Sequence, residues 1–402
     1  MRVIVIGSGL SGTIFSKTLH ELDPAAEVEI FGDERFLYYP RPNLIEYMAG
    51  ALPRERLFPF SEKWFADRNI QFNRNARVIE VDPDARRVTL KQGARTGYDA
   101  LLLATGAHCW VPPIAGLPKT GAFTLRTLED AENLLERLEK TGKALIIGGG
   151  LLGLEIARAL KARGGEVEIV EFFPRLLPRQ LDQQGADILR SQIEGMGMRV
   201  RLGVVTEEIL GGADVRGARL KDGTTLDTGL VVIAAGVRAN TALAQDTGLK
   251  SDKGVLVDDA MRTSRPEIYA AGDLTEHAGR LYGIIPAAFE QAKIAAHNIA
   301  GRAQDYKGTV PSNSLKVAGL AVTSVGEINP EPGTREELRA ARPEQGIYKK
   351  IVLHEGRLTG AIWMGTKQGV NDISRMVTRN ADVEKWKNQL LDDDFDFSLL
   401  PG

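Results

Sequence analysis

Cysteine is the scarcest resource in this chain: Cys109 is the only one in 402 residues. One thiol excludes a disulfide framework, and an iron–sulfur cluster or a cysteine-bound zinc would need several. Histidine is sparse too, five in all. His20, His108, His277 and His297 stand at no metal-binding spacing such as H-E-x-x-H. Long apolar runs are missing, and none approaches the ~20 residues of a membrane-spanning helix. An excess of one charge is missing as well. The net charge of −2 gives no global reason to expect nucleic acid or a membrane surface as partner. The nucleophile elbow G-x-S-x-G is absent, since Gly9-Leu10-Ser11-Gly12 does not meet its spacing. A strand-like run begins at Val3, and the expectation is a chain without a secretory leader. With a single cysteine, the expectation is a cytoplasmic protein. What remains is ordinary soluble composition, 43% apolar and 26% charged, in a length that suits about two to four domains.

Glycine is plentiful, and it is patterned. Val3-Ile4-Val5-Ile6 runs into Gly7-Ser8-Gly9-Leu10-Ser11-Gly12, and Ala144-Leu145-Ile146-Ile147 runs into Gly148-Gly149-Gly150-Leu151-Leu152-Gly153. Each is an apolar strand, then G-x-G-x-x-G, then an apolar helix. Such glycines permit a tight turn, close approach of a pyrophosphate and close helix–strand packing. The helix start offers unpaired N–H groups and a positive dipole end. An acidic residue follows each unit at the end of the next strand: Asp33 and Glu34 after Val28–Phe31, and Glu171 after Val167–Val170. There a carboxylate can bind ribose hydroxyls, although a solvated turn is the other reading of Asp33 and Glu34. Two copies imply two dinucleotides, of which the usual pair is FAD and a nicotinamide. This doubled unit is the only internal repeat.

The rest of the chain reads as follows. The loop Phe36–Leu44 is aromatic and holds Pro40 and Pro42, which stiffen it. Val78–Val81 and Arg87–Leu90 read as a small antiparallel meander. Leu101-Leu102-Leu103-Ala104-Thr105-Gly106 suits a buried parallel strand ending at a cofactor. Pro112-Pro113 marks a boundary, and Thr127-Leu128-Glu129-Asp130 opens a helix with a capping-box pattern. Leu128, Ala131, Leu134, Leu135 and Leu138 form its apolar stripe. The run Leu230–Gly236 echoes Leu101–Gly106 and is expected to return the chain to the first domain. Glu267–Ala271 is a strand ending in Gly272-Asp273, followed by a helix over about 287–300. Beyond Thr309, Lys349–Leu353 and Gly360–Met364 read as strands, and 368–379 as a helix. The acidic stretch Asp392–Phe397 reads as mobile.

The order of these motifs resembles the FAD- and NAD(P)-dependent pyridine nucleotide reductases over nearly the whole chain. Within them, Tyr39–Leu44 and Arg56-Leu57-Phe58-Pro59-Phe60 look most like NADH:rubredoxin reductases and the flavin modules of assimilatory nitrite reductases. The resemblance implies an α/β protein with two Rossmann-like dinucleotide-binding domains, a glutathione-reductase-like fold without a redox disulfide, and a small α+β C-terminal domain. It divides the chain into an FAD domain over 1–110 and 229–308, an NAD domain over 111–228 and a C-terminal domain over 309–402. It assigns Gly7, Gly9, Leu10, Ser11 and Gly12 to the FAD pyrophosphate, and Asp33 and Glu34 to its adenosine ribose. Arg41 and Arg126 match FAD-contacting arginines, and Val78 an adenine contact. Thr105, Gly106 and Ile285 line the flavin side, and Asp273 takes the ribityl chain; a turn or helix cap is the plain alternative for Asp273. Gly148, Gly150, Leu152, Gly153 and Gly236 fall to the nicotinamide nucleotide. Glu155 lies where relatives place a glutamate beside the nicotinamide, although it also reads as a polar helix residue. Glu46 stands where several relatives have a lysine. Glu171 favours NADH over NADPH by accepting from the 2′-hydroxyl and repelling a 2′-phosphate, with Arg175 nearby as the opposing signal.

The single cysteine decides the subclass. A dithiol reductase stores its electron pair in two cysteines. Relatives with one redox cysteine carry it after the second strand, where this chain has Tyr39. Cys109 lies elsewhere and reads as structural. Electrons would then leave from the flavin itself, to a small one-electron protein such as rubredoxin. Such proteins are usually acidic, which points to Lys316, Lys349, Lys350, Lys367 and Arg375 as a docking face; scattered solvated charges are the alternative. The resemblance also places Asn313–Lys316 and Trp363 near the flavin. Two other functions stay open: a flavin module feeding a partner enzyme or an oxidase using O2, and an NADH-responsive sensor with Asp392–Leu400 as its docking segment. Oligomeric state is not legible.

Overall fold

Val3, Ile4, Val5 and Ile6 are apolar on both faces, as a strand covered on both sides requires. In the computed structural model, which describes residues 1–309, 312–317 and 319–399, that strand is the centre of a parallel sheet. The order is Ile268–Ala270, Ala100–Leu103, Arg2–Ile6, Glu27–Phe31 and Ile70–Asn73. Alternation separates two cores. Val3 and Val5 pack with Phe15, Leu19, Ala292 and Ala296 of the helices Leu10–Leu22 and Ile285–Ile299. Ile4 and Ile6 face Val81, Val88 and Leu90 of a three-stranded meander, Val78–Asp82, Arg87–Leu90 and Arg95–Gly97. These elements belong to one compact unit, formed by Met1–Tyr47, Leu52–Trp110 and Val237–Thr309.

The second unit holds Met48–Ala51, Val111–Gly236 and the chain after Thr309. Its parallel sheet runs Arg199–Leu202, Glu166–Glu171, Lys143–Ile147, Val231–Ile233, Ala122–Phe123. The helix Leu128–Thr141 begins in a full capping box: Thr127 Oγ1 accepts from the Asp130 N–H, and the Asp130 carboxylate accepts from the Thr127 N–H. Leu145, Ile147, Val231 and Ile233 pack on a three-stranded antiparallel sheet, Thr206–Leu210, Gly217–Leu220 and Thr225–Asp227. The chain after Thr309 makes five antiparallel strands in the order Ser312–Val317, Leu320–Gly326, Arg357–Met364, Ile347–His354, Glu336–Arg342, with the helix Val370–Thr378 on one face.

One sequence expectation is corrected. Leu230–Gly236 does not return the chain to the first sheet: Val231–Ile233 pairs in parallel with Lys143–Ile147 and with Ala122–Phe123. An all-apolar strand announces burial on both faces and says nothing about which sheet buries it. The return comes at Val237–Ala239, which pairs with Ala107–Cys109. The division therefore falls after Gly236, not before Gly229.

Candidate dinucleotide sites

Strand register gathers the first set of candidate residues. Ile6 pairs with Phe31 on one side and Leu103 on the other, and Leu103 pairs with Ala270. Four strands thus end level, and the loops leaving them carry Gly7–Gly12, Asp33–Glu34, Thr105–Gly106 and Gly272-Asp273. In the second unit Ile147 pairs with Val170 and Ile233, so Gly148–Gly153, Glu171 and Gly236 leave one edge in the same way.

The three glycines of each fingerprint have different reasons to be glycine. Gly7 has φ +119, and a Cβ there would lie 2.1 Å from the Ala104 carbonyl oxygen. A Cβ on Gly12 would lie 2.1 Å from the Gly7 carbonyl oxygen. The second copy repeats this: Gly148 has φ +120 with Ala234 O at 2.5 Å, and Gly153 has Gly148 O at 2.0 Å. The middle glycines, Gly9 and Gly150, differ. A Cβ on either meets nothing within 4 Å among the described residues. The protein needs the outer glycines to pack and leaves the space over the middle ones open. Gly9 and Gly150 are also the N-caps of Leu10–Leu22 and Leu151–Ala162, and neither helix has a side-chain cap or an acidic residue in its first turn. Unpaired N–H groups and a positive helix end next to open space suit a pyrophosphate. Both cradles fit a dinucleotide. Gly236, at φ +108, is likewise open.

Around the first cradle the loops are pinned by residues that motif reading missed. Asn240 holds Thr105-Gly106: its Nδ2 donates to Thr105 O at 2.8 Å, its N–H donates to Gly106 O at 2.9 Å, and its carbonyl accepts from Thr105 Oγ1 at 3.1 Å. Gln291, 1% exposed, holds the turn that presents Asp273. Its Oε1 accepts from the Gly272 N–H and from Thr275 Oγ1, each at 2.9 Å. Gly272, at φ +94, lies so close to Ser11 that a Cβ would be 2.4 Å from its Oγ. Asp273 therefore sits half-buried beside the first turn of the fingerprint helix. No motif marks Asn240 or Gln291; only the tertiary pairing reveals them.

The two carboxylates after Phe31 part company. Glu34 accepts hydrogen bonds from the Tyr39 hydroxyl and the Arg41 guanidinium, whose charge also lies 4.9 Å over the Tyr39 ring. Asp33 is 64% exposed, with Arg77 at 3.4 Å. Val78 is buried at the start of its strand, and Ile285 is exposed at the start of its helix. Glu46 is half-buried on the short helix Asn43–Met48. A cleft of about 620 Å³ opens at Phe31, Arg35, Phe72–Ala76, Leu90 and Gln92; it contains none of the predicted site residues.

In the second unit, Glu171 is 6% exposed and clasps the glycine loop. One oxygen accepts from the Gly149 N–H at 2.5 Å and the other from the Phe173 N–H at 2.7 Å. Two lone-pair positions of the carboxylate remain for a ligand. Arg175 donates from Nη2 to Pro178 O at 3.3 Å, and its Nε is buried with no partner among the described residues. Glu155 pairs with Arg158 at 3.1 Å on the fingerprint helix, and Leu152 is exposed there. Arg126, matched by resemblance to an FAD-contacting arginine, lies within Val111–Gly236 of this unit; its N–H donates to Asp130 Oδ2 at 2.9 Å. Cys109 is half-buried on a two-stranded ribbon opposite Val237.

The proposed docking face is corrected in part. Lys350 is 1% exposed and Lys349 3%. Lys350 Nζ reaches Glu337 at 2.7 Å, Ile328 O at 2.8 Å and Asp182 at 3.2 Å. Asp182 also accepts from the buried Tyr348 hydroxyl at 2.6 Å and caps the helix Gln183–Gly195 through the Gly185 N–H. Burial pushes the Asp182 carboxyl up, but those hydrogen bonds and the Lys350 charge together hold it below the usual carboxylate range. A strand position with an inward side chain can bury a lysine only when it is paired like this. Lys367 and Arg375 are exposed; the side chains of 312–317, Lys316 included, lie outside the described residues. The segment expected to be mobile is instead held against the C-terminal sheet and its helix through Asp393, Phe395 and Phe397, with Leu399 exposed and Leu400 outside the described residues. No helix among the described residues is long and apolar enough to cross a membrane.

Comparison with known proteins agrees with this architecture. Residues 1–296 match the pyridine nucleotide-disulphide oxidoreductase family, and residues 311–381 match the rubredoxin NAD+ reductase C-terminal domain. A nitrite reductase [NAD(P)H] of Bacillus subtilis is 35% identical over 96% of this chain, which spans 48% of that protein. An NADH oxidase of Methanocaldococcus jannaschii is 34% identical over 81% of this chain and 76% of its own length. The solved NADH:rubredoxin oxidoreductase of Clostridium acetobutylicum superposes with a TM-score of 0.82 at 28% identity, covering 94% of this chain and 95% of its own. The chain spans about half the length of the first curated relatives it matches.

Proposed function

The chain belongs to the pyridine nucleotide-disulphide oxidoreductase family, and within it we propose an FAD enzyme that oxidises NADH and passes single electrons to a small redox protein of the rubredoxin kind. The observation that carries this reading is the pair of glycine cradles, each open only over its middle glycine, in a chain with too few cysteines for a dithiol. When bound, FAD supplies the redox chemistry, taking up a hydride and releasing electrons one at a time.

The protein's own part is binding and orientation. Gly7, Gly9 and Gly12 hold the FAD pyrophosphate against the N–H groups of Leu10 and Ser11. Glu34 takes the adenosine ribose and Arg41 neutralises phosphate charge, while Asp273 takes the ribityl hydroxyls from its pinned turn. Thr105 and Gly106, fixed by Asn240, wall the flavin side with Ile285. Gly148, Gly150, Leu152, Gly153 and Gly236 receive NADH. Glu171 accepts from its 2′-hydroxyl with the lone pairs left over from the loop clasp, and its charge repels the 2′-phosphate of NADPH. Glu155, on the helix of the second cradle, is assigned to positioning the bound nicotinamide, and Glu46, in the first unit, to positioning the bound flavin. Lys367 and Arg375 steer an acidic acceptor, in a weak encounter of the usual electron-transfer kind.

A second reading, a flavin module feeding an attached or separate reductase, is favoured by the half-length match to the nitrite reductase. Anaerobic stopped-flow separates the two. Rapid flavin bleaching by NADH, followed by rapid recovery on adding oxidised rubredoxin, supports the proposed function. Rapid bleaching without recovery sinks the rubredoxin-type acceptor and leaves the module.

A further inference from the structure

The segment from Leu391 to Leu399 is acidic and aromatic, reading Leu-Asp-Asp-Asp-Phe-Asp-Phe-Ser-Leu, and it lies on a face built to receive it. Asp393 is the hub. One carboxylate oxygen accepts from Lys349 Nζ at 2.7 Å and the other from Arg342 at 2.6 Å, and its carbonyl accepts from Gln368 Nε2 at 2.5 Å. Lys349 also donates to Leu391 O at 3.0 Å, and its ammonium lies 5.3 Å from the centre of the Trp363 ring. Phe395 and Phe397 meet edge to face at 5.1 Å and pack on the core that contains Trp363. Gly369, at φ +74, gives Phe397 its seat: a Cβ there would be 2.4 Å from the ring.

We propose that this face, made by Arg342, Lys349, Trp363, Gln368 and Gly369, is a docking surface for acidic–aromatic peptide, occupied in this structure by the chain's own 391–399 segment. The segment is a removable self-ligand, and an acidic electron-transfer partner gains those two cations by displacing it. The argument is one of charge and access. Among the described residues the ion pairs of Lys349 and Arg342 both go to Asp393. Asp393 is itself half-exposed, so competing anions and salt can reach the contact. A partner that binds only the uncovered face sees its apparent affinity reduced by the fraction of molecules uncovered. The inference rests on the proposed function for the identity of the competitor, though not for the existence of the face.

The test uses the full-length holoenzyme and a double substitution that releases the segment, Asp393→Asn with Phe397→Ala. Hydrogen exchange at Gln368–Val370 reports release. A fluorescent peptide with the sequence of residues 390–402 reports whether the face is open. Release should let the peptide bind the variant and not the parent. It should raise kcat/KM for rubredoxin roughly threefold or more at low salt, leave NADH:ferricyanide turnover unchanged, and be reversed by added peptide. A peptide that fails to bind the released variant overturns the docking surface. Peptide binding with unchanged rubredoxin kinetics overturns the competition. Peptide binding when neither form reduces rubredoxin keeps the self-ligand and removes the acceptor assigned above.

Discussion

Alanine at Gly150 separates what the protein needs from what a ligand needs. Among the described residues a Cβ there meets no heavy atom within 4 Å, and the backbone, at φ −80 and ψ 179, suits any residue. The cost to the fold is confined to the helix N-cap, where alanine is poorer than glycine by about 1 kcal/mol, a melting shift of roughly 2–4 °C. A pyrophosphate in the open space would meet the new methyl group. Displacing it costs about 1–3 kcal/mol, by analogy with an overfilled core, so the Kd for NAD+ should rise roughly 5- to 150-fold. Bound flavin should stay at the parent level. Gly9→Ala should do the converse: a folded protein that retains little flavin. Gly153→Ala is the control. Its Cβ would lie 2.0 Å from the Gly148 carbonyl oxygen, a backbone atom with no rotamer to escape into, so the second unit should be badly destabilised. Calorimetric titration of NAD+, the 450 nm flavin absorbance and melting curves read all three variants. An unchanged Kd for Gly150→Ala at an unchanged melting temperature would refute the assignment of that space to a nucleotide.

Other predictions follow from single contacts. Glu171→Ala should raise the KM for NADH and narrow the gap to NADPH, because it removes the 2′-repulsion and two loop bonds to a charged acceptor, each worth about 1.5–3 kcal/mol. Glu171→Gln keeps an acceptor for Phe173 and should fall between; an unchanged NADH/NADPH ratio would dismiss the role. Cys109→Ser should leave steady-state turnover nearly intact, and loss of activity would reopen thiol chemistry. Asp182→Asn keeps a cap for Gly185 but strips buried Lys350 of one anion, which should destabilise the protein by about 3 kcal/mol at neutral pH. The folded Asp182 carboxyl is held below its ordinary value. Its stabilisation is therefore complete above about pH 4 and lost as pH falls through the depressed value. Acid unfolding curves of parent and variant should converge there, and parallel curves would count against the network.

How far the sequence reached follows from what kind of pattern each feature leaves. Both fingerprints, the capping box at Thr127 and the Gly272-Asp273 turn are local, so a few adjacent residues declare them. That these loops leave one edge of each sheet follows from strand register, which the structure supplies. Asn240 and Gln291 left no local trace: each holds a loop distant in sequence, Asn240 at Thr105 across 135 residues, and nothing in their own neighbourhoods marks them. Leu230–Gly236 misled because apolarity records burial and not the identity of the burying sheet.

Lys349 and Lys350 show the deeper limit. Adjacent lysines on a strand point to opposite faces, so a sequence reading expects at least one in solvent. Here both faces are covered, Lys350 by Asp182 and Glu337 and Lys349 by the 391–399 segment. A buried ammonium survives only with partners supplied from elsewhere in the chain, and the two anions nearest in sequence, Glu344 and Glu355, are not those partners. The acidic stretch read as mobile and Lys349 read as exposed are therefore one error seen from its two sides. Each misreading assumed the other group was absent, and pairing them removes both. It follows that Lys349→Gln should loosen the 391–399 segment as Asp393→Asn does, and the two together should loosen it little more than either alone. Hydrogen exchange across Leu390–Asp394 in the single and double variants measures that coupling, and strictly additive effects would show that the lysine and the aspartate act independently.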